Sequence, residues 1–161
     1  MFPGVSRKFV PEIRLVKAVS EYNGSYIIEG RSFQNAGRVS NEIKKILKAR
    51  GISETVVRKV SIVVFEAEIN IISYARIGVI KFEVFPDSII IEAKDEGQGI
   101  ADIELALKEG YSTADAEVCE LGFGAGMGLS NIGKFSDFFE IQSDVGKGTY
   151  LKSIININGK Q

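Results

Sequence analysis

Apolar positions along the chain fall into two rhythms, one of period two and one of period three to four. Ile13, Leu15 and the run Tyr26-Ile27-Ile28 flank Asn23-Gly24, so residues 12–31 are predicted to form a β-hairpin that turns at Asn-Gly. Ala36, Val39, Ile43, Ile46 and Leu47 then repeat at helical spacing, which predicts a helix over 36–50 stopped by Gly51. Ser53 followed by Glu54 is a helix start, and the periodicity carries that second helix to about Arg76, with Gly78 as its stop. Strict alternation returns in Ile80, Phe82 and Val84 and, after Pro86-Asp87, in Ile89, Ile91 and Ala93, a second hairpin. A short helix over 101–109, an aperiodic glycine-rich stretch over 110–126, a helix over 128–136 and strands over 138–143 and 149–157 complete the order. Strands come in antiparallel pairs with helices between the pairs. The expected fold is α+β: a two-layer sandwich whose mixed, mostly antiparallel sheet is covered by helices on one face.

On the helix over 54–76, Val56, Val60, Val63, Val64, Ala67 and Ile71 share a core sector, while Glu54, Arg58, Ser61, Glu68 and Arg76 mark a solvent face. Glu66, Asn70 and Ser73 form a third stripe that belongs to neither. A Glu and an Asn four residues apart meet on one face, and burying them without partners costs several kcal/mol. One reading is a metal–nucleotide edge, with the Asn oxygen as a hard ligand for Mg²⁺ and the Glu as a proton acceptor. The alternative is a second wet edge on which Lys59 pairs with Glu66.

Ten of the 17 glycines lie between 97 and 148. In Asp95-Glu96-Gly97-Gln98-Gly99-Ile100 the alternation from Ile89 points the Asp95 carboxylate inward, where it needs a donor such as the exocyclic amine of adenine, with glycines that let backbone pass close to a flat base. A cap on the following helix is the other use for such an Asp. Gly122-Phe-Gly124-Ala-Gly126-Met127-Gly128-Leu129 precedes a helix, and its N–H groups together with the helix N-terminus suit phosphates. Its spacing fits neither the dinucleotide fingerprint, because Leu129 stands where a glycine is required, nor a P-loop, because Gly146-Lys147 is followed by Gly148. A structureless run of this length inside a compact domain is uncommon unless functional, which favours a lid over a linker. Thr149 shares strand parity with Leu151 and Ile155, so its hydroxyl is expected inward, beside Asp95, unless Gly146–Gly148 is only a hairpin turn.

These elements in this order resemble the ATP-binding domain of the GHKL superfamily, which gyrases, heat-shock chaperones, histidine kinases and mismatch-repair ATPases share. The matching residues are Glu66 and Asn70, then Asp95, Gly97 and Gly99, then Gly126-Met127-Gly128-Leu129, then Gly148-Thr149. Within it, the segment 102–113 and the ending Phe138–Ser143 are most similar to the small bacterial anti-sigma and stressosome-switch serine/threonine kinases. The resemblance implies the Bergerat ATP-binding fold, ATP and Mg²⁺ as cofactors, Glu66 as catalytic base and Asn70 as metal ligand. Asp95 would anchor adenine, and Gly97, Gly99, Ile100, Gly124, Gly126, Met127, Gly128, Leu129 and Thr149 would line the nucleotide. It also implies a partner: a STAS-type anti-sigma antagonist whose Ser or Thr is phosphorylated or, alternatively, a sigma factor captured in a nucleotide-dependent way. A nucleotide sensor without transfer chemistry is the third reading, and a homodimer is left open. The pattern departs in two places: no basic residue stands in Cys119–Gly122, and residues 1–24 read as an N-terminal extension of a single domain spanning 1–161, with 110–126 as its lid.

Composition narrows the chemistry further. There is no histidine, which excludes imidazole-based nucleophilic systems, His-ligated zinc and phosphorylation on histidine. Net charge is −1 from 20 basic and 21 acidic residues, without a nucleic-acid footprint or a basic membrane patch. With no signal-like segment, no long apolar run and one cysteine, Cys119, whose redox use is the minor reading, the chain reads as cytoplasmic.

Overall fold

A computed structural model describes residues 5–7 and 19–158. In chain order they form β1 (Val5–Arg7), β2 (Tyr22–Glu29), a 3-10 turn at Phe33–Asn35, α1 (Arg38–Ala49), α2 (Glu54–Tyr74), β3 (Ala75–Val84), β4 (Ser88–Gly97), α3 (Ile103–Ala106), α4 (Ala116–Glu120), α5 (Gly128–Phe135), β5 (Phe138–Asp144) and β6 (Gly148–Asn156). The strands make one sheet in the order β1-β5-β6-β4-β3-β2. Every pairing among the described residues is antiparallel, so the expected two-layer α+β sandwich stands while its sheet is not mixed. Ile80, Phe82, Val84, Ile89, Ile91, Ile141 and Ile155 on one face of the sheet are buried against Val39, Ile43, Leu47, Val60, Val63, Val64 and Ile71 of α1 and α2.

Three sequence expectations change along β2, α2 and β3. The turn placed at Asn23-Gly24 does not exist, because both residues lie inside β2, opposite Glu83 and Phe82. A ladder running from Tyr22↔Val84 to Glu29↔Ile77 outweighs the local preference of Asn-Gly for a turn. Ile13 and Leu15, the other arm of that hairpin, lie outside the described residues. Next, α2 ends at Tyr74 and its C-cap residue Ala75 is already extended, so Arg76 and Gly78 belong to β3. Gly78 is not a helix stop. A Cβ there would lie 2.8 Å from the Ile71 side chain, so its lack of a side chain lets β3 pass beneath the end of α2.

The third change concerns Glu68, which sequence periodicity puts on the solvent face and the structure buries to 2% exposure. Helix α1 begins at Gly37, which has no side chain to cap it. The carboxylate of Glu68 supplies the cap, accepting the Val39 and Ser40 N–H groups at 3.2 and 3.3 Å. Burial raises its pKa above the ordinary Glu value, and the N–H groups of Val39, Ser40 and Gly37 offset part of that. At the far end of α1, Gly51 at φ 74 closes the helix, with Gly51 N–H on Lys48 O and Ile52 N–H on Leu47 O. The starts of α2 and α3 are local, at Ser53 and Asp102, as sequence signals indicate for α2.

Replacing Glu68 with Ala should destabilise the protein by about 2–4 kcal/mol, because two buried N–H groups lose their acceptor. Denaturant midpoints read this directly. An Ala variant as stable as wild type would mean that α1 is not held through its N-terminus.

Candidate functional site

Glu66 and Asn70 sit on the edge of α2 that faces α5, and the start of α5 is pressed onto them. A Cβ built on Gly128 would lie 3.2 Å from Glu66 Oε2 and 3.3 Å from Asn70 Oδ1. Both side chains are half-buried. Glu66 is not paired with Lys59 among the described residues; instead the amide of Asn131 donates to its Oε1 at 3.0 Å. Asn131 went unnoticed in the sequence. Its one signal there was an amide side chain beside Ser130 on a short helix, between the apolar Leu129 and Ile132.

Asp95 lies at the end of β4, half-buried, with the inward parity of Ile91 and Ala93. Its Oδ1 accepts N–H groups from Gly97 (2.9 Å) and Thr149 (3.3 Å). Burial raises the Asp95 carboxyl above its ordinary 3.8, and those two N–H groups offset the rise only in part. It does not cap the next helix, since Asp102 does that. Thr149 points inward as its parity requires, but its hydroxyl is engaged by Ser143 at 2.8 Å, so its link to Asp95 runs through the backbone. Ser143 also accepts the Ile100 N–H at 2.8 Å, and Gly146 N–H meets Gln98 O at 2.8 Å. Two bonds thus staple the loop 97–100 to the β5–β6 hairpin.

The glycines act mainly on the protein itself. Side chains on Gly99 and Gly148 would collide with the backbone of Asp144 and Asp95. One on Gly97 would meet Tyr74 O at 2.7 Å. Of the sequence-nominated glycines, Gly128 is the one whose missing side chain would sit against both Glu66 and Asn70. The stretch 110–126 contains α4, which lack of periodicity concealed. Asp115 caps it, accepting the Val118 N–H at 3.0 Å, and Val118 is buried. Arg31 pairs with Asp115 and Glu117, which holds the Asp115 carboxyl below its ordinary range, and Phe33 stacks on Phe123 at 5.8 Å.

All twelve sequence-nominated residues line one cavity of about 720 Å³, walled by α2, β4, the loop 97–102, the stretch 111–129 and β6. The hydroxyl of Ser73, the third member of the α2 stripe, is buried, lines the same cavity and has no hydrogen-bond partner among the described residues. An orphaned buried hydroxyl, a half-buried carboxylate with a raised pKa and a cradle beside an Asn oxygen suit a ligand with both polar base edges and anionic oxygens. No group of three or more His, Cys, Asp or Glu among the described residues could hold a metal on its own, so a cation here would depend on Asn70 and on the ligand's oxygens. No described helix is long and apolar enough to cross a membrane.

The model of the histidine kinase-like ATPase domain family matches residues 32–154, and the chain belongs to that family. Its fold is that of this ATPase domain family. Among relatives, an anti-sigma F factor of Caldanaerobacter subterraneus subsp. tengcongensis is 37% identical over 94 residues, covering 55% of this chain and 62% of that protein. The serine/threonine-protein kinase RsbT of Bacillus subtilis is 29% identical over 115 residues, covering 69% and 80%. An anti-sigma F factor of Thermoanaerobacter sp. is 38% identical over 79 residues, covering 48% and 52%. The chain therefore spans about half to two thirds of the anti-sigma F factors it matches.

Gly128 separates fold from ligand binding. Its φ is not left-handed, and the atoms a Cβ would crowd are the ends of two side chains rather than backbone, so Gly128→Ala should fold to within about 1 kcal/mol of wild type. The same methyl intrudes on Glu66 and Asn70. Stabilisation by Mg-ATP, read as a shift in melting temperature, should largely disappear in this variant. An undiminished shift would place the ligand's anionic end elsewhere.

Proposed function

We propose that this chain is an ATP-dependent protein serine/threonine kinase of the anti-sigma type, acting on a Ser or Thr of a small STAS-type regulatory partner. The observation that carries the reading is the pairing of Glu66 with Asn70 under the first residue of α5, in the cavity that also holds Asp95. Asp95 would accept the exocyclic amine of adenine. Asn70 would give one hard oxygen to Mg²⁺. Bound Mg²⁺ supplies charge neutralisation at the phosphate oxygens. The N-terminus of α5 and the glycine-rich turn before it present N–H groups to those anionic oxygens. Glu66, held through Oε1 by Asn131, keeps Oε2 turned towards Gly128 and would take the proton of the acceptor hydroxyl as its oxygen bonds to the γ-phosphorus and the bond from that phosphorus to the ADP oxygen breaks, releasing ADP. The stretch 110–126 would act as a lid, closing over the base and phosphates.

A second reading is favoured by the anti-sigma F factors among the relatives: sequestration of a sigma factor, with the nucleotide as a conformational ligand. Glu66 argues against a pure sensor, which needs no base.

Mg-ATP at about 100 times Kd should add about 2.7 kcal/mol, or about 5–10 °C in melting temperature, and Mg-GTP should add much less because it offers Asp95 no amine. Asp95→Ala should remove most of that shift. The pH dependence has a definite sign. Folding favours the neutral Asp95 carboxyl, so the stability this group lends is full below 3.8 and fades as pH rises through its folded-state value. Affinity for adenine runs the other way, weakening on acidification from a pH already above 3.8. Affinity that stays flat until the protein itself unfolds would remove Asp95 from adenine recognition.

Base and ligand roles should separate in labelled-phosphate transfer to STAS-type partners, read beside direct nucleotide binding. Glu66→Gln should bind Mg-ATP within a few-fold of wild type yet transfer at least about 100-fold more slowly. Asn131→Ala should also slow transfer and leave binding nearly intact, by freeing the Glu66 side chain. Asn70→Asp should disturb metal and nucleotide binding together. Tight ATP binding without transfer, joined to nucleotide-dependent capture of a sigma factor, would establish the second reading. Undiminished transfer by Glu66→Gln would exclude Glu66 as the base.

A further inference from the structure

A second cavity of about 700 Å³ lies between α1 and α2, on the outer side of the helical layer. Phe65 and Glu66 line both cavities and so form part of the wall that the first cavity shares with this groove. Apart from Glu66, the charged residues of the groove are three basic and one acidic. Lys44 and Lys48 lie four residues apart on one face of α1, and Arg58 projects from the second turn of α2 across from them. All three are exposed, and none takes part in an ion pair among the described residues. Glu54 is the one acidic side chain at the outer end. Like charges at this helical spacing repel each other, and among the described residues no ion pair relieves them.

We propose that this groove docks an acidic segment of the protein partner and leads its acceptor hydroxyl to Glu66. The proposal rests on the kinase reading above and adds to it a route and a partner chemistry. With a nucleotide filling the first cavity, this groove is a second approach that reaches Glu66 from outside that cavity. A segment with Asp or Glu residues flanking its Ser or Thr complements Lys44, Lys48 and Arg58. Such complementarity acts chiefly on encounter rate and specificity, and added salt weakens it.

The test uses the full chain and fluorescence polarisation of labelled peptides at low salt. One short peptide carries a central Ser flanked by Asp and Glu, and an isomer carries Lys and Arg instead; an oligothymidylate of matched charge is the third probe. The acidic peptide should bind at least about tenfold more tightly than either other probe, and raised salt should weaken it. Lys44→Glu with Lys48→Glu should cost at least about tenfold in that affinity. Lys81→Glu, exposed on the uncovered sheet face, should cost nothing, and in both variants Mg-ATP should still raise the melting temperature. Equal binding of acidic and basic peptides, unchanged affinity in the double variant, or an oligothymidylate bound as tightly overturns the proposal. If Mg-ATP stabilises the protein but no acidic peptide binds, the groove alone is refuted. If Mg-ATP has no effect while the peptide preference holds, the kinase reading fails and the groove remains a docking surface.

Discussion

The site depends on the rotational setting of α2 over the sheet. Val56, Val60, Val63, Val64, Ala67 and Ile71 are all buried, and each large apolar side chain is worth about 1.5–3 kcal/mol in that position. No loop separates α2 from β3, so the strand that starts at Ala75 holds the end of the helix in place, and the close pass of Gly78 under Ile71 leaves little room to rotate. With the apolar face locked down, Glu66 and Asn70 are carried to one edge of the helix and Glu68 towards the start of α1. A twist large enough to move the first pair out of the cavity would also pull the cap away from α1.

Around that helix, the polar work is shared among distant segments. Asn131 from α5 orients Glu66, Glu68 from α2 caps α1, and Ser143 from β5 bonds both Ile100 and Thr149. All but the Ser143–Thr149 link join residues far apart in sequence, and each sits where burial makes a missing partner costly. The result is a preorganised frame around two groups left with spare capacity, the Asp95 carboxylate and the Ser73 hydroxyl. Those are the groups a ligand would have to satisfy.

The glycines divide along the same line. Gly97, Gly99 and Gly148 are needed because the loop after β4, the end of α2 and the β5–β6 turn crowd one another, which shapes the cavity wall indirectly. Gly128 is needed because a helix starts where two functional side chains stand. A glycine-rich sequence alone does not distinguish these two uses.

Local chemistry made much of this protein legible from its sequence. Period-two and period-three-to-four patterns located α1, α2, β3, β4, α5, β5 and β6, and the spacing of Glu66 from Asn70 and the parity of Asp95 and Thr149 placed those side chains correctly. These signals work because they depend on neighbours within one element. What misled was local preference set against long-range pairing. Asn23-Gly24 favours a turn, yet the ladder with β3 holds it extended. Gly78 looks like a helix stop, yet it serves the crossing of β3 under α2. Glu68 looks solvent-exposed, yet it is the missing cap of a helix that starts at a glycine. Asn131, Ser143 and the partnerless Ser73 acquire meaning only beside residues from other elements. The tertiary structure decided these, because a buried polar group is defined by what surrounds it, and its surroundings come from the rest of the chain.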